Sequence, residues 1–127
     1  MNITYEKHSL YPEAILIRNF VGKVVANDII ESWKYLYKHQ LINDSTKGLI
    51  NNLQGCELMM DLESFTLLLN YMKSMKYIKN IKIAVIADNP KTIIFPILGH
   101  EQERELNIKP FSTMDAAVNW VLLDMSV

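Results

Sequence analysis

Apolar and polar residues alternate at the start of the chain with the period of β-strands. The segment NITYEKH has apolar Ile3 and Tyr5 between polar neighbours, which predicts a strand with one solvent-facing side. The next segment, EAILIRNF, is more apolar and predicts a buried strand. Pro12 and Glu13 lie at a turn between the two segments, so we expect an opening β-hairpin.

Three later segments predict further strands. GLINNL is expected to end near Leu53, with Asn51 and Asn52 at the edge of the sheet, because asparagine is rare inside strands. IKIAVIAD is nearly all apolar, which is typical of a strand covered on both faces, and we expect it in the middle of the sheet. NIKPF predicts the last strand.

Two helices are predicted between the second strand and the segment IKIAVIAD. The first covers about residues 28–41 and is expected to begin at Asp28, which has Glu31 at the spacing of a capping box. Asp61 is the expected N-cap of the second helix. The apolar stripe of the second helix consists of residues at helical spacing, namely Leu62, Phe65, Leu68, Leu69, Met72 and Met75.

Proline occurs twice in the third predicted helix, with different consequences. Asn89 and Pro90 suit an N-cap and a first helical turn, where a missing N–H costs nothing. Pro96 lies further along, where it removes a helical hydrogen bond and its ring crowds the preceding turn. We therefore expect a kink or break in this helix near Phe95.

A fourth helix, capped by Ser112 or Thr113, completes the order β-β-α-β-α-β-α-β-α. Strands that alternate with helices predict an α/β fold, here a single domain over residues 1–127 with a five-stranded mixed sheet and about four helices. The expected core consists of the large apolar residues on the inward faces, namely Leu16, Trp33, Leu49, Phe65, Leu69, Ile83, Val85 and Trp120.

The element order and two segments resemble the STAS-like domains, and among them the SpoIIAA-like family of anti-sigma-factor antagonists. IKIAVIADNP is similar to the central strand and the start of the third helix in that family. IKPFSTMDAAVNWV is similar to its closing strand, cap and helix. The resemblance covers essentially the whole chain. It implies the five-stranded mixed sheet and a role in binding or regulation rather than catalysis.

One position departs from that family. Anti-sigma-factor antagonists have an Asp-Ser pair at the start of the second helix, and a partner kinase phosphorylates this serine. Here the segment is MMDLESFT, in which Leu62 follows Asp61 and the nearest serine is Ser64, beside Glu63. The two acidic side chains would repel a phosphate, so we expect Ser64 to be an ordinary first-turn residue rather than a phosphorylation site.

Composition and charge narrow the functional classes. The chain has 127 residues, of which 50% are apolar and 21% charged, as in a folded soluble domain. Thirteen Lys and Arg against 14 Asp and Glu give a net charge of -1, which does not favour binding to nucleic acid. Cys56 is the only cysteine, and there is no apolar run long enough for a signal peptide or membrane helix. We therefore expect a cytoplasmic protein.

The sequence contains no recognisable catalytic or metal-binding motif. His8, His39 and His100 lie on different predicted elements without the spacing of metal ligands. Cys56 follows Gly55 in a predicted loop and has no basic neighbour in the sequence that would lower its pKa. We predict no metal, no cofactor and no catalytic residue.

These observations leave two classes of function open. The first is a non-catalytic binding or regulatory module, expected as a homodimer, that acts through a protein partner or a small apolar or acidic ligand. The second is a small enzyme with its site where the parallel strands end, using Asn51, Asn52, Cys56 and Asp88.

A cluster of lysines separates the second and third helices. Lys73, Lys76, Lys79, Lys82 and Lys91 face only Asp88 as an acidic neighbour. We interpret them as a solvated helix end and loop, with an anionic partner as the alternative. Glu101, Glu103 and Glu105 form an acidic group further along the chain. The basic and acidic groups either pair between protomers or form separate solvated faces.

Methionine and aromatic residues on the second and third helices suggest where a ligand binds. These helices follow neighbouring strands, so a groove between them would be apolar, with basic residues at its rim. Such a groove would suit a fatty or aromatic molecule with an acidic head, or an amphipathic segment of a partner. The alternative is that the same side chains fill the core. The predicted groove residues are Met59, Met60, Phe65, Met72, Ile94, Phe95 and, at the rim, Lys91.

Overall fold

The opening hairpin begins a mixed sheet whose strands alternate with helices. The computed structural model describes residues 2–123 of the chain. In chain order its elements are β1 (Ile3–Lys7), β2 (Ile15–Phe20), β3 (Gly22–Val25), α1 (Ala26–Lys38), β4 (Gly48–Asn52), β5 (Cys56–Met59), α2 (Leu62–Lys73), α3 (Lys76–Lys79), β6 (Lys82–Ile86), α4 (Pro90–Gln102), β7 (Asn107–Phe111) and α5 (Met114–Leu122).

The main sheet has five strands in the order β1-β2-β4-β6-β7. β1 runs antiparallel to β2, and every other neighbouring pair is parallel, so the predicted mixed sheet and opening hairpin are confirmed. The strand in the middle is β4, whereas we expected the more apolar β6. Both strands are interior and covered on both faces, so apolar content alone does not distinguish their places in the sheet.

A second, smaller sheet was not predicted. β3 and β5 pair in parallel, with Gly22 opposite Cys56 and Val25 opposite Met59. Glycine precedes or begins each strand with a left-handed backbone, at φ 74° for Gly22 and 78° for Gly55. Cys56 is therefore the first residue of a strand, and the expectation of a loop at this position was wrong.

The helix caps follow the sequence closely, with one exception. α1 begins at Ala26 rather than at Asp28, which lies in the first turn and accepts a hydrogen bond from the Val25 N–H at 2.9 Å. The other three caps are where side-chain chemistry predicted them. Each cap accepts a backbone N–H of the first turn: Asp61 from Ser64 at 2.8 Å, Asn89 from Lys91 at 2.9 Å and Thr113 from Ala116 at 3.2 Å.

Pro96 does not interrupt α4, which is continuous from Pro90 to Gln102. Of the predicted kink or break near Phe95, the break was therefore wrong, and the kink stays a prediction. Pro96 is buried among the residues between the main sheet and helices α1, α2 and α4. This packing offsets the loss of the hydrogen bond that proline cannot donate.

The two faces of the sheet have separate cores. On β2, Leu16 and Phe20 face α1, α2 and α4, while Ile15 and Ile17 face α5. All of the predicted core residues are buried except Trp120, which is half-buried against the smaller core. The larger core lies on the face covered by α1, α2 and α4, and the smaller core lies on the face covered by α5.

The predicted apolar stripe of α2 is correct at most of its positions. Its buried members are Phe65, Leu68, Leu69 and Met72. Met75 lies after the helix and is half-buried against the larger core. Leu62, in contrast, is 66% exposed at the first position of the helix.

Two of the lysines that we expected in solvent have partners in the fold. Lys82 is buried on β6, and its Nζ donates to the carbonyl oxygens of Trp120 at 2.8 Å and Leu123 at 2.7 Å, at the end of α5. Lys73 forms an ion pair with Glu103 at 3.1 Å, which links α2 to the end of α4. One lysine of the basic group and one glutamate of the acidic group therefore pair within a single chain and not between protomers.

β4 and α5 approach each other closely at Gly48. A β-carbon on Gly48 would lie 2.5 Å from Cγ1 of Val121, too close without movement of the backbone or of this buried side chain. We expect Gly48→Ala to lower the free energy of unfolding by about 1–3 kcal/mol, the usual cost of overpacking, as measured by urea denaturation.

Gly99→Ala is the matched control for this prediction. Its β-carbon would lie 3.2 Å from Cδ1 of Ile108, the flexible end of a side chain, and alanine favours the helix. We expect a change of less than about 1 kcal/mol. Equal losses in the two variants would contradict the close packing of β4 against α5.

Candidate functional site

An apolar cavity lies between the main sheet and helices α1, α2 and α4. Its volume is about 80 Å³, several times the ~10–15 Å³ that one water molecule needs. Arg18 and Asn51 are the only lining residues with ionic or amide side chains; the others are aliphatic, aromatic or methionine. Such a composition favours an apolar occupant with a small number of fixed polar contacts.

Three helices and five strands contribute residues to the lining of this cavity. The floor comes from residues of β2, β4, β6 and β7 on the face that carries the larger core. The α1 wall includes Ile29 and Trp33, and the α2 wall includes Phe65 and Met72. α4 contributes Phe95, whose ring centroid lies 5.1 Å from that of Phe65, so the α2 and α4 walls are in contact.

The opening of the cavity is marked by side-chain exposure. Leu58 on β5, Met60 just after it and Phe95 on α4 are half-buried, while every other lining residue is buried. The cavity therefore meets solvent between β5 and α4. Met60 is unbranched and flexible, which suits a position that must adapt to different apolar shapes.

Four of the seven predicted groove residues line the cavity, namely Met60, Phe65, Met72 and Phe95. The other three do not. Met59 is 47% exposed and Ile94 is 49% exposed, because each lies beside a lining residue but points another way on its strand or helix. Lys91 is exposed in the first turn of α4 and is not among the lining residues.

Arg18 is the charged residue of the cavity floor and is only 2% exposed. Its Nε donates to Oδ1 of Asn51 at 2.7 Å, and its Nη1 donates to Oγ of Ser32 at 3.0 Å. The guanidinium also lies over the Trp33 ring, 4.5 Å from its centroid, and 5.2 Å from the centroid of Phe20. These contacts hold the positive charge in one place.

Both hydrogen-bond acceptors of Arg18 are held by further partners. Asn51 donates its Nδ2 to the carbonyl oxygen of Ala84 at 3.0 Å, and Ser32 is 2.7 Å from the hydroxyl of Tyr5. Burial lowers the pKa of Arg18 from 12.5 to about 10, so its charge persists at neutral pH.

Sequence reasoning did not identify Arg18 as a site residue, although a signal was present. In the strand ILIRNF, Arg18 alternates with Leu16 and Phe20, so all three side chains lie on one face. A charged residue at a core-facing position is uncommon without a partner. The partners, Asn51 and Ser32, lie on other elements and become neighbours only in the folded chain.

The residues of the alternative enzymatic site have other roles or surroundings. Asn51 is bound to Arg18, and Asn52 donates to Asn19 at 3.4 Å. Cys56 is buried, and burial, followed by the nearby Glu57, raises the pKa of its thiol. A raised pKa lowers the fraction of thiolate at neutral pH, which is opposite to what a nucleophile requires. Asp88 is exposed after β6.

The three histidines make separate contacts. His8 Nδ1 accepts the backbone N–H of Leu10 at 3.1 Å, and the ring of His39 is tilted against that of Tyr35, with the two ring centroids 4.3 Å apart. His100 Nδ1 is 2.9 Å from the carbonyl oxygen of Ile108. Within residues 2–123, no three His, Cys, Asp or Glu side chains form a cluster able to hold a metal ion. In the same part of the chain, no helix has the length and apolar character needed to span a bilayer.

Ser64 lies in the first turn of α2 and is part of its cap. Its backbone N–H donates to Oδ1 of Asp61, and its Oγ accepts the Asp61 N–H at 3.2 Å. The hydroxyl hydrogen bond from Ser64, together with the backbone one, lowers the pKa of Asp61. That Ser64 is not phosphorylated stays a prediction.

Solved structures share this architecture, among them the following two; no family model and no curated protein matches the sequence. One is an uncharacterised protein of the DUF3478 family with a SpoIIAA-like fold from Shewanella loihica: TM-score 0.61, 17% identity, 94% of this chain and 91% of that chain covered. The other is the anti-sigma factor antagonist SpoIIAA in its unphosphorylated form: TM-score 0.56, 12% identity, 94% and 96% covered. The chain has a SpoIIAA-like fold, as the sequence resemblance implied.

Proposed function

We propose that this protein is a non-catalytic binding module that holds a small apolar ligand between its main sheet and helices α1, α2 and α4. The observation that carries the proposal is the apolar cavity with a half-buried opening at Leu58, Met60 and Phe95. Burial of apolar ligand surface would supply the binding free energy, about 25 cal/mol for each Å² removed from water.

The size and walls of the cavity limit the ligand. A volume of about 80 Å³ accommodates only a small apolar group unless side chains move. Met60 at the opening and Met72 inside can change rotamers at low cost, so the cavity can adapt to somewhat larger groups. Met59 and Ile94 are exposed beside lining residues, and a longer ligand would cover them as it leaves the opening.

Regulation through a protein partner is the second candidate function. It is supported by the likeness in fold to SpoIIAA, which is an anti-sigma factor antagonist. The segment MMDLESFT lacks the Asp-Ser pair of such antagonists, so any partner here would be controlled without that phosphorylation site. A cytoplasmic location and a homodimeric state belong to this proposal as expectations.

The ligand-binding proposal predicts uptake of an apolar fluorescent probe by the native protein. Phe95→Ala should weaken probe binding by about fivefold or more, because part of a phenyl ring is worth about 1 kcal/mol or more of buried surface. Ile94→Ala is the matched control: its side chain is half-exposed and outside the cavity, so affinity should change by less than about twofold. Fluorescence titration measures both.

The location of the probe can be checked with two tryptophans. Trp33 lines the cavity, whereas Trp120 packs against Phe111 at the opposite face of the sheet. Probe binding should shift the indole N–H signal of Trp33 in an NMR spectrum and leave that of Trp120 in place. The proposal fails if the native protein ignores the probe and Phe95→Ala instead costs ~3–5 kcal/mol of stability, as at a packed core site.

A separate test addresses the enzymatic alternative. Cys56→Ala and Asp88→Ala should each change probe affinity by less than about twofold, because neither residue lines the cavity. A broad substrate screen of the unmodified protein accompanies these variants. Turnover that either substitution abolishes would show that the protein is an enzyme.

A further inference from the structure

Arg18 is a buried positive charge without a negative partner. Its two hydrogen-bond acceptors, Asn51 and Ser32, are both neutral. Among residues 2–123, no carboxylate lies within ion-pair distance of its guanidinium. An uncompensated charge in an apolar interior is unfavourable, so it attracts a counter-charge, and binding is favourable where that attraction and the hydrogen bonds of the pair exceed the hydration that the counter-charge loses.

The guanidinium also has hydrogen-bonding capacity left over. Arginine carries five N–H donors, and those on Nε and Nη1 donate to Asn51 and Ser32. Nη2 donates to no residue in the described part of the chain. Because Trp33 covers the face of the guanidinium, the remaining donors lie along its edge, where planar carboxylates bind.

A second buried donor lines the same cavity. Trp33 is fully buried, and its indole Nε1 has no hydrogen-bond acceptor among the described residues. A buried donor without an acceptor is destabilising, because it loses its hydrogen bond to water and gains none in the protein. Nη2 of Arg18 and Nε1 of Trp33 therefore both lack an acceptor, and the side-chain oxygen of Asn51, which also lines the cavity, already accepts from Nε of Arg18.

We infer that the ligand of this cavity is a small apolar monocarboxylate, whose carboxylate pairs with the guanidinium of Arg18. The inference rests on the proposed function and names the chemical class of its ligand. One negative charge balances the single positive charge of the cavity floor, which favours a monoanion over a multiply charged group. The apolar walls exclude a second polar group on the ligand.

The positions of the charge and the opening set the orientation of the ligand. Arg18 is buried, while Leu58, Met60 and Phe95 at the opening are half-buried. The carboxylate would therefore lie inside, beside Arg18 and Trp33, with the apolar tail extending towards the opening. This reverses the arrangement predicted from the sequence, in which Lys91 held the acidic head at the rim.

The decisive measurement compares octanoate with octanol, which differ in the head group and share an apolar chain. The native protein should bind octanoate at least about tenfold more tightly, since a charge-assisted hydrogen-bonded pair is worth about 1.5–3 kcal/mol. Calorimetry or displacement of the apolar probe measures both affinities. Arg18→Met should abolish the preference. Lys91→Met, which removes an exposed lysine outside the cavity, should preserve it.

A second variant keeps the test valid if Arg18→Met does not fold. Ser32 accepts from Arg18 and also lines an outer pocket with Tyr5. Ser32→Asp would supply an internal counter-charge while leaving Arg18 in place. The preference for octanoate should fall to within about threefold of octanol, because the guanidinium then has a partner.

The outcomes separate this inference from the proposed function. Equal binding of octanoate and octanol, or binding of the probe alone, overturns the inference and leaves an apolar binding module. An octanoate preference that survives Arg18→Met or Ser32→Asp also overturns it, because the head group is then recognised elsewhere. If neither octanoate, octanol nor the probe binds, the proposed function fails and the inference fails with it.

Discussion

The positive charge of Arg18 constrains the packing of the larger core. Parallel pairing of β2 with β4 places Arg18 beside Asn51, so the first acceptor is set by strand register. The second acceptor, Ser32, comes from α1 and fixes how that helix crosses the sheet. A slip of one residue in the β2–β4 register would turn Arg18 to the opposite face, away from both acceptors. The charge therefore favours one register and one position of α1.

The uneven covering of the sheet explains why a cavity forms on one face. A single helix, α5, packs on one face and approaches β4 closely at Gly48. The other face carries α1, α2 and α4, and the cavity lies between these helices and the sheet. Gly99 brings α4 near β7, and the Lys73–Glu103 ion pair ties α2 to the end of α4. These contacts limit how far the cavity can open.

Likeness of fold and likeness of site give different information about this protein. The topology is that of the SpoIIAA-like fold, and at 17% and 12% identity this likeness supports the fold and not the residues of a site. The start of α2 illustrates the difference, because Ser64 and Asp61 cap the helix through reciprocal hydrogen bonds. A fold supports many functions, and the arrangement of Arg18 and Trp33 is what points to an anionic apolar ligand.

Local periodicity and capping chemistry determined most of the architecture. The strand and helix order followed from residues that are near one another in the chain, and so did the caps at Asp61 and Thr113. The tertiary structure alone decided which strand is central and which predicted groove residues meet in one cavity. It also gave Lys82 its carbonyl partners and Arg18 its neutral ones. These contacts join residues more than ten positions apart, so the local sequence pattern does not predict them. Helix caps and strand alternation involve residues that are neighbours in the chain, and the sequence pattern therefore predicts them.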